Sequence, residues 1–131
     1  MKKLFLLLLG LACFVGCSDK IQLGGKVTYE DGSPLPKGSV VFATSSFEAI
    51  GALNSEGKYV VGSIDVADGL PKGTYKVYFS GAVEETPGKG ELMRSLIDET
   101  YANFSTTPLT AEIPAPNNTL DFTVPKNPKI K

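Results

Sequence analysis

Carboxylates are the residues of this chain best suited to chemistry. Glu84, Glu85 and Glu91, followed by Asp98 and Glu99, could supply an acid/base pair or a calcium site. Glycoside hydrolysis needs two carboxyls held about 5–9 Å apart in a cleft. These five fall on a polar stretch and on the outer face of a short amphipathic segment, so a solvated surface is expected. Asp65-Val-Ala-Asp68-Gly69 pairs two carboxylates with a turn glycine but lacks the oxygen density of a calcium loop. The hydroxyls of Ser45, Ser46, Ser105, Thr106 and Thr107 have no histidine to activate them, because the chain contains none. That absence also removes the commonest zinc ligand. No catalytic residue, no metal and no cofactor is expected, and the chain is read as a non-enzyme.

Sulfur offers a different chemistry. Met1-Lys-Lys opens an apolar run from Leu4 to Gly16 that stops at Cys17, and Ser18-Asp19-Lys20 are abruptly polar. The run is well short of the roughly 20 residues that a spanning helix needs. Two lysines, a short apolar core and a small residue before the polar switch make a secretory leader. With a cysteine at the switch, the segment resembles a bacterial lipoprotein signal. That resemblance implies cleavage after Gly16 and lipid attachment at Cys17. Cys13 is the competing processing site, although cutting there would leave Phe14 and Val15 at the mature start. A single acyl chain binds a membrane marginally, whereas two or three anchor it stably. Ser18 in the following position favours the outer membrane or cell surface over the inner membrane.

Removing sixteen of the 131 residues leaves 115, the size of one domain. The expected divisions are a signal peptide over 1–16, a lipidated tether over 17–22, a folded domain over 23–126 and a basic tail over 127–131. Without Lys2 and Lys3, 11 basic residues face 14 acidic ones. No basic, aromatic-laced stretch points to nucleic acid. Both cysteines lie in or beside the leader, so the domain must rely on a packed core without a disulfide.

Period-two alternation punctuated by Gly, Pro, Asn and Asp predicts antiparallel strands. Leu23, Gly25, Val27 and Tyr29 share one face. Ser39–Thr44, Phe47–Leu53 and Lys58–Gly62 follow, the last joined by an Asn54-Ser-Glu-Gly57 hairpin. Asp65–Gly73 reads as a loop. In Thr74–Gly81, Tyr75, Val77 and Phe79 oppose Lys76, Tyr78 and Ser80. Leu109–Ile113 and Thr119–Val124 flank Pro114–Asn118 as a final hairpin. Between them, Val83–Gly90 reads as a loop, and Leu92, Met93, Leu96, Ile97 and Tyr101 recur at a spacing that predicts a short amphipathic helix. Asn103-Phe-Ser105 and Asn117-Asn-Thr119 match the glycan-acceptor pattern and read as turns.

Four pieces occur in order: Gly25-Lys-Val27, Asp31-Gly-Ser-Pro-Leu35, Gly57-Lys-Tyr59 and Gly69-Leu-Pro-Lys-Gly-Thr-Tyr-Lys-Val77. Together they resemble the transthyretin-like, carboxypeptidase-regulatory-like domain over roughly residues 23 to 81, and with the last hairpin over most of the mature chain. The resemblance implies a seven- or eight-stranded antiparallel β-sandwich with an accessory role, here with one short helix in a long connection. It carries no catalytic residue to this sequence. The helical insert and Thr106–Thr110 depart from the simplest form of the pattern and look more like small exported lipoproteins that carry this domain alone. The expected function is a membrane-anchored envelope lipoprotein whose non-catalytic sandwich is a structural or protein-binding module. Its expected partners are the membrane and an envelope protein. The alternative is a small-ligand or carbohydrate-binding surface with Tyr29, Tyr78 or Tyr101 as its stacking platform.

Overall fold

The computed structural model describes residues 20–61, 69–90 and 92–130. Cys13, Cys17, Asp65, Asp68 and Glu91 lie outside the described residues. The described chain is an all-β sandwich. Its strands are β1 (Lys20–Ile21), β2 (Gly24–Tyr29), β3 (Ser39–Ala43), β4 (Glu48–Ala52), β5 (Lys58–Val60), β6 (Leu70–Pro71), β7 (Gly73–Ser80), β8 (Val83–Glu85), β9 (Met93–Ser95), β10 (Thr110–Ile113) and β11 (Phe122–Val124). One main sheet has the order β10-β7-β3-β4 and is antiparallel. The other has the order β11-β2-β5, with β11 parallel to β2. Two small ladders, β1-β6 and β8-β9, complete the set.

Alternation places the core as expected. Leu23, Val27 and Tyr29 turn inward from β2 and its approach, and Tyr75, Val77 and Phe79 from β7. They meet Val40 and Phe42 of β3, Val124 of β11, and Leu35 and Ile97 from the connections. Phe42 sits at the centre, its ring 6.0 Å from Phe122, 6.2 Å from Tyr59 and 6.5 Å from Tyr75. Offset and edge contacts of this kind stabilise beyond the area they bury. The sandwich takes in residues at both ends. Lys20–Ile21 pair with Leu70–Pro71, Asn127 is buried, and Ile130 packs on the core.

Three local expectations are corrected. The helix through Leu92–Tyr101 is instead β9, an irregular stretch and a single 3-10 turn, Glu99–Ala102. Gly88 and Gly90, at φ +76° and +64°, reverse the chain between Thr86 and Leu92, so that Glu84 faces Arg94 across a hairpin. Leu96 and Ile97 are buried, while Leu92 and Met93 stay 62% and 55% exposed, so the apolar spacing never forms one stripe. Val83–Gly90, read as a loop, accordingly contributes β8. Both expected hairpins also open into arches. Asn54 closes its turn with Lys58, yet β4 and β5 belong to different sheets. β10 and β11 likewise part, and residues 114–121 cross from one sheet to the other.

Candidate interaction surface

The expected chemistry-bearing residues that the structure describes are dispersed, several of them with a structural task, and Glu85 is exposed at the end of β8. Glu84 forms an ion pair with Arg94 across β8–β9. Asp98 caps the 3-10 turn by accepting from Thr100 N at 3.0 Å. Glu99 is exposed and lines a 270 Å³ hollow beside the hairpin with Ser80, Val83, Ser95 and Ile97. Among the described residues, no group of three or more acidic, histidine or cysteine side chains could hold a metal ion. Ser45 and Ser46 sit in the tight turn closed by Thr44 and Phe47. Thr107 is buried and donates to Val77 O at 2.6 Å, and Thr106 donates to Thr100 O at 2.8 Å. Ser105 is exposed. No helix among the described residues is long and apolar enough to cross a membrane.

The three tyrosines considered as platforms do not come together. Tyr29 is buried, and Lys126 Nζ caps its ring at 5.0 Å from the centroid. The same ammonium lies 3.1 Å from Asp31, which also accepts from the Ser33 hydroxyl and amide. Those Ser33 bonds first, and then Lys126, hold the Asp31 carboxyl down at about 2. Tyr101 is half-buried against the core from the 3-10 turn. Tyr78 points outward from β7 and donates to Glu48 Oε2 at 2.9 Å. Desolvation, and then Glu48, push its phenol above the usual range.

Around Tyr78 the outer face of the four-stranded sheet becomes apolar, a feature that single-strand alternation does not show. Tyr78, Val41 and Ile50 stand in one cross-strand row on β7, β3 and β4. Phe104 meets Tyr78 edge-on at 6.5 Å, and Lys76 Nζ lies 4.8 Å from the Phe104 centroid. Ile50 ends the row on the outermost strand and is 46% exposed. The outward alternation of β4 was legible in the sequence, but its place at the end of the sheet was not. What this face offers is therefore an exposed strand edge backed by an apolar row. It holds no converging set of reactive groups. Comparison of the chain with protein-family models, with curated proteins and with solved structures finds no match.

Proposed function

We propose that this chain is an envelope lipoprotein anchored through Cys17, on the outer membrane or cell surface. Its sandwich serves as a non-catalytic structural or protein-binding module of the transthyretin-like kind. The observation carrying this reading is the dispersal of the described carboxylates and hydroxyls onto caps, turns and surface pairs, which leaves strand edges and loops as the features a partner would meet. The leader supports the address, and two main sheets of four and three strands accord with the family resemblance. Cys17 precedes β1 by three residues, so a lipid there would hold the sandwich close to the bilayer. Stable attachment of this kind needs more than one acyl chain.

The test is mass spectrometry of the amino-terminal peptide after expression of the full chain in a bacterium, with fractionation of the cells. A diacylated or triacylated Cys17 in the membrane fraction is expected, with Cys17→Ser shifting the protein to the soluble fraction. An unmodified native chain, or a Cys17→Ser variant that still sediments with membranes, overturns the anchor.

A further inference from the structure

We infer that β4 is a docking edge for a second copy of this chain, paired antiparallel about a two-fold axis at Ile50. The inference rests on the protein-binding reading above and names the partner. Pairing within the sheet sets which backbone groups are free. Leu53 N donates to Gly38 O at 2.9 Å and Thr44 N to Phe47 O at 2.8 Å, while Ala49 and Gly51 face Phe42 and Val40. Bonded and non-bonded pairs alternate along an antiparallel ladder. The N–H and C=O groups of Glu48, Ile50 and Ala52 therefore point away from β3. Among the described residues, no strand pairs with that side of β4.

Sheet edges are ordinarily blunted by charge, proline or a covering segment. β10, at the other end of the same sheet, has Glu112 within it and Pro108 and Pro114 flanking it. On β5, the Asn54 side chain and amide occupy Lys58 N and O. Among the described residues, β4 has none of these devices. Its sequence Glu48-Ala-Ile-Gly-Ala52 keeps its one charge at the end, where Tyr78 holds it.

The edge is complementary to itself. With Ile50 opposite Ile50 of the second copy, Glu48 faces Ala52 and Ala49 faces Gly51, so no like charges are opposed. Ala52 shares a groove of 230 Å³ with Lys58, Asn54 and Val60. Each Glu48 is thereby brought toward the Lys58 side of the other copy, twice per pair, where Lys58 exchanges its exposed 3.7 Å contact with Glu56 for the incoming carboxylate. The row Tyr78–Val41–Ile50 continues into its own image across an eight-stranded sheet. Cross-strand apolar and opposite-charge pairs are the units that stabilise such a junction. The contact is one short strand, far below the roughly 800 Å² per partner of a standard interface, so the pair is weak in solution. Lys20 pairs with Pro71, just before the start of β7, so the two-fold turns the Lys20 ends to opposite ends of the shared sheet, and a pair tethered to one bilayer lies with its strands along the surface.

Sedimentation velocity of the full chain as processed by the cell, in mild detergent, tests this from about 5 µM to about 0.5 mM, a range chosen for weak association. The mass should rise toward twice the monomer, with the Ile50 amide gaining protection from hydrogen exchange. Ile50→Pro removes the outward donor without touching the β3 ladder and should hold the chain monomeric with an unchanged circular dichroism spectrum. Glu48→Lys should weaken pairing at least fivefold at low salt, and the double variant Glu48→Lys/Lys58→Glu should restore it. A monomer at every concentration overturns the inference, as does a dimer indifferent to both Ile50→Pro and Glu48→Lys. Binding of a different envelope strand to a wild-type chain that stays monomeric also overturns it. Loss of the lipid at Cys17 would refute the anchor alone, and a monomeric lipidated chain would refute the pairing alone.

Discussion

Replacing Gly25 with alanine should be among the most damaging single-methyl additions to this domain. Gly25 stands on the inward face of β2, where the Leu120 carbonyl crosses. A Cβ there would lie 1.8 Å from Leu120 O and 3.0 Å from the Tyr59 hydroxyl. Ordinary contact needs more than an ångström of retreat. Leu120 is not free to retreat, because its oxygen accepts from Tyr59 at 2.6 Å and its amide donates to Gly24 O at 2.9 Å. Overpacking costs about 1–3 kcal/mol, and each of the two bonds contributes about 1 kcal/mol. The expected loss is about 3–5 kcal/mol, a large share of a typical 5–15 kcal/mol stability. Urea unfolding followed by tyrosine fluorescence measures it, the chain having no tryptophan. Gly32→Ala is the control. That glycine has φ +91° and nothing within 4 Å of a new Cβ, so only backbone strain of about 1–2 kcal/mol is added. If Gly25→Ala costs less than Gly32→Ala, the close-approach reasoning is wrong.

Phe42→Ala should cost about 3–5 kcal/mol, because it empties the centre of the aromatic cluster, and should lower the midpoint of thermal denaturation by more than about 10 °C. Stability should also fall at alkaline pH. Burial first, and then the Asp121 charge, raise the Tyr59 phenol well above its usual value of 10.0. The unfolded chain therefore loses this proton first. The contribution is fully present below about pH 10 and is lost above it by about 1.4 kcal/mol per pH unit until the folded phenol ionises. Tyr59→Phe should lower stability by about 1 kcal/mol at neutral pH through the lost Leu120 bond and flatten the alkaline slope. An unchanged slope would show that Tyr59 is not the titrating group.

The inward faces of β2 and β7 are properties of short stretches, so they can be read from residue spacing. A two-residue period reports which way side chains point about one strand. It says nothing about which strand lies alongside. Asn54–Gly57 and Pro114–Asn118 have the residues of hairpin turns, but β4 and β5, and β10 and β11, divide between two sheets because pairing is decided by long-range packing. The stretch from Leu92 to Tyr101 has helical spacing, yet Gly88 and Gly90 turn it back along β8, and the Glu84–Arg94 pair joins the two strands.

By itself, then, the sequence pointed to an all-β domain with no cysteine after Cys17, and the proposed export and lipid attachment rest on its amino-terminal pattern alone. Only the tertiary structure decided that β4 is an outer strand, that Ile50 ends an apolar row, and that the inward glycine of β2 makes room for the Leu120 carbonyl. Those are contacts between residues far apart in the chain. Local spacing carries no record of them.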